Sequence, residues 1–175
     1  PKTEVGTLRI HGIVPVDGRE MLPGLKAAQA ENWQDYRTLS AGVQETYFED
    51  TVREARAGAQ LVLWPENAVW LASEDEAALV ATGRQIAMEE GVYLGLSYAV
   101  EYQDGTPYEN KLVVIDPQGI VGLEHLKFGG QAIEGFRAGD GILRTMETPY
   151  GTLSGIICWD SFFQKPVLQA GRNGT

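Results

Sequence analysis

The sequence predicts an α/β fold in which a mixed sheet carries helices on at least one face. Three observations predict it. A β-branched strand pattern, a long helical pattern and a short apolar run come first, and together they make a β-α-β unit. A sharply delimited helix follows at 73–91. Three strand patterns joined by tight turns then read as antiparallel neighbours. The composition is that of a folded chain, with 43% hydrophobic and 22% charged residues, and 175 residues suffice for one domain over 1–175 with a substantial core.

Each element has its own reason. "TLRIHGIVPV" (7–16) alternates and is β-branched, which is the pattern of a strand. After a Gly/Pro-rich connection, residues 25–56 carry helix formers, with Tyr36, Leu39, Val43, Tyr47 and Val52 near helical spacing, as one long helix or two shorter ones. Gly58 suits a helix C-cap. "AQLVLW" (59–64) is a short apolar run of the kind buried on both faces of a sheet. In 73–91, Ser73 stands at the N-cap, Glu76 at the capping-box position and Gly91 at the end. Strands follow at 92–102, 109–116 and 120–127, then a glycine-rich stretch (128–141), two strands around "TPYG" within 142–160, and a helix at 161–171.

The charge limits function. A net charge of -10 and a pI near 4.6 exclude a phosphate backbone as partner, because the 14 Lys and Arg form no cluster. No apolar stretch reaches the roughly 18 residues of a membrane span, and the N-terminus lacks a signal pattern, so membrane contact is expected only through parts outside these residues. The chain starts at Pro1 and stops soon after a helix that a mixed sheet would follow with another strand, so it is expected to be a piece of a longer protein. The single cysteine excludes an internal disulfide.

Three titratable residues sit just past the ends of apolar strand patterns: Glu66 after "LVLWP", Lys127 after "IVGLEHL" and Cys158 after "LSGII". Ligands bind at strand ends in open sheets, where loops converge on a rigid frame. Alone, each has a plain reading, a buried small hydrophobe for Cys158 and solvated charges for the other two. Together they complement one another. A base or a nearby cation activates a thiol, and a cation steadies an oxyanion alongside the backbone N–H of Trp159. His125 would face the same side as Lys127, and His11 lies mid-strand. One cysteine and two histidines show no zinc-ligand spacing, the glycines form no phosphate fingerprint, and no organic cofactor is implied.

The order of "WPEN", "HLK" and "GIICWD", each closing a strand, resembles the carbon-nitrogen hydrolase (nitrilase) superfamily from residue 7 to the end. The resemblance implies an αββα sandwich that continues beyond this chain, and a Glu-Lys-Cys triad. In that triad Glu66 is general base, held between apolar neighbours with the tryptophans excluding water. Lys127 steadies the oxyanion and Cys158 is acylated as a thioester. It also implies a second glutamate, Glu134 in "IEGFRAG", that positions the lysine or the attacking group. "WPEN" and the opening "RIHGIVP…ENWQDYRTLS" are most similar to the apolipoprotein N-acyltransferase branch. That branch carries a phospholipid acyl donor, a lipoprotein amine as acceptor and a place on the outer face of the cytoplasmic membrane. "HLKFGGQAIEG" and "CWD" depart from that branch and look more like soluble amidases, which implies a cytoplasmic enzyme acting on a small amide as the alternative. A third expectation is a non-catalytic binding domain of the same fold. Members of the superfamily commonly dimerise, so a homo-oligomer is implied as well.

Overall fold

The computed structural model describes residues 7–14 and 18–175. The first strand is shorter than its pattern: β1 spans Ile10–Gly12, while residues 15 and 16 of the expected strand lie outside the described residues. The connection expected after it is helical from Gly18. Two helices follow, α1 (Gly18–Glu31) and α2 (Trp33–Arg56). Asn32 divides them, since its extended backbone breaks the helix and its Oδ1 accepts from Gln34 N (2.9 Å) and Asp35 N (3.4 Å) to cap the second. The buried stripe of α2 is Tyr36, Ser40, Val43, Tyr47 and Thr51, with Phe48 beside it. It excludes the expected Leu39, which is 49% exposed, because a strict three-and-four spacing from Tyr36 passes through Ser40.

Strands β2 (Leu61–Leu63) and β4 (Tyr93–Glu101) run parallel to β1, in the order β1-β2-β4. A strand that the sequence reading passed over, β3 (Val69–Ala72), also pairs with β4 in parallel. Thus β4 pairs with β2 through Tyr93–Gly95 and with β3 through Tyr98–Glu101, and the loop between β2 and β3 interrupts one line of pairing. Pro65 explains the interruption, because it has no N–H for the ladder. Pairing resumes where Ala68 N donates to Ser97 O (3.1 Å).

A 3-10 turn (Ser73–Asp75) leads into α3 (Glu76–Glu90), which ends at Gly91 with φ 66°. The expected capping box is absent. Ser73 Oγ bonds Glu74 Oε2, while Glu76 accepts from Lys111 Nζ (2.8 Å) and Tyr98 O–H (3.0 Å), long-range partners that outcompete the local cap. At Gly83, α3 lies so close to the sheet that a Cβ would sit 2.8 Å from Leu96 Cδ1.

Antiparallel strands β5 (Glu109–Ile115) and β6 (Val121–Leu126) complete the six-stranded sheet. Asp116 Oδ1 closes the turn between them by accepting from Gln118 N and Ile120 N. The glycine-rich stretch holds a short helix, α4 (Gln131–Glu134), between Gly130 and Gly135, both at positive φ. Strands β7 (Thr145–Thr148) and β8 (Gly151–Ser154) pair as a separate ribbon. A 3-10 turn (Cys158–Phe162) and α5 (Gln164–Asn173) follow.

Alternation sorts the faces of the sheet. Val62, Leu94, Leu96, Tyr98, Val100, Val113 and Ile115 join Tyr47, Phe48 and Leu79 in the core under α2 and α3. Trp64 belongs to this core, since its ring packs on Tyr47 and Phe48 and its Nε1 donates to Thr51 Oγ1 (2.9 Å). On the opposite face, Gly155 after β8 packs against Leu112 and Leu123. The result is a mixed α/β fold, with the two-stranded ribbon leading onto the second face. Among the described residues, no helix is long and apolar enough to cross a membrane.

Candidate active site

The loop that interrupts the β2–β3 line carries Glu66, and its next residue, Asn67, sits in the left-handed region at φ 52°. Lys127 is the first residue past β6. Its backbone is held on both sides, N–H donating to Asn110 O (2.8 Å) and C=O accepting from Gly139 N (2.8 Å). Its side chain is fully buried, with Nζ 5.1 Å from the centre of the Phe136 ring. Glu134 ends α4.

These elements bring three charges together. Lys127 Nζ donates to Glu66 Oε1 at 2.6 Å and to Glu134 Oε2 at 2.7 Å, and both glutamate side chains are 29% exposed. Burial pulls the Lys127 pKa down, but the two carboxylates outweigh it and hold the ammonium above its ordinary value. Lys127 is therefore charged at neutral pH. Asn110 Nδ2 donates to Glu66 Oε1 at 2.8 Å. Glu66 is thus not held between apolar neighbours, as the sequence led us to expect: Trp64 points into the core on the helix side, and the immediate partners of Glu66 are a lysine and an amide.

Cys158 opens the 3-10 turn after Ile157, at φ 43°. Only a few non-glycine residues adopt such a conformation, and the two in this chain's described part are Asn67 and Cys158, both at this cluster. The sharp strand-to-turn bend leaves the thiol exposed rather than buried as a small hydrophobe. Partial desolvation pushes the thiol up, as does the negative charge of Glu66, while Lys127 opposes them. These effects together leave the sulfur a thiol at neutral pH. The N–H of Trp159 belongs to the first residues of the turn, where helical geometry supplies no acceptor, and its indole lies over Gly130.

Asp160 ties the cysteine turn to the lysine loop, a role the sequence reading missed. It is fully buried and accepts from His125 Nε2 (2.7 Å), Phe128 N (2.9 Å), Gly129 N (2.6 Å) and Ile157 N (3.0 Å). Burial raises its pKa, but these donors outweigh burial and hold the carboxyl below its usual range. His125 is accordingly a buried partner of Asp160. His11 lies away from the cluster, against Glu54 of α2 (3.2 Å). Among the described residues, no group of His, Cys, Asp and Glu is arranged to hold a metal. A cavity of about 880 Å3 lies between α2 and α3, lined by Gln44, Phe48, Val52, Arg56 and Ile86 among others, and contains none of these groups.

Residues 21–175 match the family model for carbon-nitrogen hydrolases. Among solved structures, the chain is similar to a carbon-nitrogen hydrolase from Helicobacter pylori G27, with a TM-score of 0.65 and 18% identity over 78% of this chain and 52% of that one. It is also similar to the amidase from Nesterenkonia sp. AN1. A double mutant of that amidase in complex with acrylamide matches with a TM-score of 0.62 and 20% identity, over 100% of this chain and 64% of that one. In another form, carrying the acetamide moiety of fluoroacetamide on its active-site cysteine, the values are 0.61, 20%, 99% and 64%. At these identities the likeness is one of fold, and this chain spans between 52% and 64% of those structures' length. No curated protein matches the chain.

Proposed function

Because the chain belongs to the carbon-nitrogen hydrolase family, we propose that it breaks a carbon-nitrogen bond by cysteine-dependent acyl transfer, through a thioester on Cys158. The observation that carries this reading is the contact of Lys127 Nζ with Glu66 and Glu134 beside a strained, exposed cysteine.

In this reading Glu66 takes the proton from Cys158 Sγ as the sulfur attacks the substrate carbonyl carbon. The carbonyl oxygen becomes an oxyanion. Two of the three ammonium protons of Lys127 are committed to carboxylates, and the third, with the Trp159 N–H, faces the developing charge. Each such donor is worth about 3 to 4 kcal/mol of barrier. Collapse of the tetrahedral species breaks the C–N bond, and the leaving amine takes the proton that Glu66 holds. An acceptor then attacks the thioester, gives its proton to Glu66, and the thiol is restored. Glu134 keeps the ammonium in place throughout.

Water as the acceptor makes the protein an amidase acting on a small amide, the reading favoured by the amidase fold neighbours. "WPEN" favours a second reading, an apolipoprotein N-acyltransferase-like reaction with a phospholipid acyl donor and an N-terminal amine as acceptor. The test is a comparison of the full-length protein with Cys158→Ala in two assays, ammonia release from small aliphatic amides and acyl transfer from a diacyl phospholipid to a lipopeptide amine. Cys158-dependent ammonia release alone supports the amidase, and Cys158-dependent lipid transfer alone supports the acyltransferase. Equal rates for the two proteins in both assays overturn the reading.

A further inference from the structure

Asn110 occupies a position that its neighbours in β5 do not explain. It is fully buried on a strand flanked by β4 and β6, and it faces away from the helical core that holds Val113 and Ile115. Its side-chain Nδ2 donates to Glu66 Oε1 at 2.8 Å, and its main-chain oxygen accepts from Lys127 N at 2.8 Å. One residue on the rigid centre of the sheet therefore grips both segments that carry the charged groups of the site.

Stability does not account for the amide. Its Oδ1 is buried without a partner among the described residues, a placement that costs free energy and that a leucine of similar volume would avoid. The use lies at the other end. Asn110 Nδ2 and Lys127 Nζ both converge on Oε1 of Glu66, so the carboxylate cannot turn about its last torsion without losing both bonds. The second oxygen, Oε2, makes no hydrogen bond among the described residues.

We propose that Asn110 is a positioning residue that locks the Glu66 carboxylate with Oε2 toward Cys158, so that Oε2 is the atom that takes the thiol proton. The inference rests on the acyl-transfer reading above and deepens it, and its test needs no knowledge of the substrate. The charged groups facing the thiol are Glu66 from the β2–β3 loop, Lys127 from the end of β6 and Glu134 from α4. Of these, only Glu66 is held by the Asn110 side chain.

The rate of Cys158 alkylation by iodoacetamide, followed by intact mass across pH, reads the thiol directly. It would be measured in the full-length protein, in Glu66→Gln, in Asn110→Leu and in the double variant, with thermal melts alongside. Asn110→Ala provides the same test if leucine does not fold. Glu66→Gln removes a charge that holds the thiol protonated, so alkylation near pH 8 should quicken by about threefold to tenfold. Asn110→Leu should quicken it in the same direction by letting Glu66 swing away, with a melting temperature no lower than the parent's and no further change in the double variant. If Glu66→Gln quickens alkylation and the folded Asn110 variant behaves as the parent, the positioning role is overturned while the acyl-transfer reading survives. If Glu66→Gln itself leaves the profile unmoved, Glu66 is not the partner of the thiol, and both fail.

Discussion

Asp160→Asn is the most informative single change outside the reacting groups. The side chain keeps its shape but loses its charge and one acceptor atom. In the native protein Oδ1 accepts from Phe128 N and Gly129 N, and Oδ2 from His125 Nε2 and Ile157 N. The amide can satisfy only one of these two pairs with oxygen, so its NH2 group must face the other. If oxygen stays with the loop amides, His125 can switch tautomer, because its Nδ1 has no partner among the described residues, but the buried Ile157 N–H is orphaned. One lost acceptor costs about 1 to 3 kcal/mol, and the weakening of the remaining charge-assisted bonds brings the total to about 3 kcal/mol. For a chain of this size that is a fall of about 6 to 12 °C in melting temperature. The acid dependence sharpens the test. Because the Asp160 pKa is depressed below 3.8, its contribution is complete above that value and is lost as pH falls through the folded value. Circular-dichroism melts from neutral to acid pH should therefore show the parent converging on Asp160→Asn only at the acid end. A loss of less than about 2 °C at neutral pH would refute the claim that this carboxylate anchors the cysteine turn.

Other outcomes follow from the same geometry. Glu66→Gln, measured as turnover of whichever substrate the full-length protein accepts, should lower kcat by on the order of 10²- to 10⁴-fold, the usual worth of a positioned base. Glu134→Gln removes one of the two carboxylates that hold the Lys127 pKa up. That lysine's pKa is raised, so its stabilising contribution is full below 10.5 and lost as pH rises past the folded value, and the variant should melt earlier than the parent in alkaline titrations. Trp64→Ala empties the space between Tyr47, Phe48 and Thr51 and should cost about 3 to 5 kcal/mol in denaturant unfolding.

The sequence made some of this legible and concealed the rest for physical reasons. Period-two and period-3.6 patterns and glycine stops are local signals, so α3 with its Gly91 end, the β5–β6 turn and the β7–β8 ribbon could be read directly. The strand β3 could not, since "AVW" follows a proline and a glutamate and looks like the tail of a loop; only pairing with the far half of β4 makes it a strand. Ser73 looked like a cap because the local motif was present, but Glu76 was claimed by Lys111 and Tyr98 from other strands. At the site, the positions of Glu66, Lys127 and Cys158 at strand ends marked them as candidates, whereas Asn110 and Asp160 carried no signal of their own. Asn110 is one polar residue in an apolar strand and Asp160 one acid in an acidic chain, and their roles lie in long-range hydrogen bonds that no spacing encodes.

The most direct test of the central claim is acid-quenched intact-mass spectrometry of the full-length protein and its Cys158→Ala variant, after brief exposure to butyramide and, separately, to a diacyl phospholipid in detergent. The account predicts an added acyl mass with one of these donors in the parent protein and none in Cys158→Ala. An unmodified parent with both donors, or the same adduct in Cys158→Ala, would contradict it.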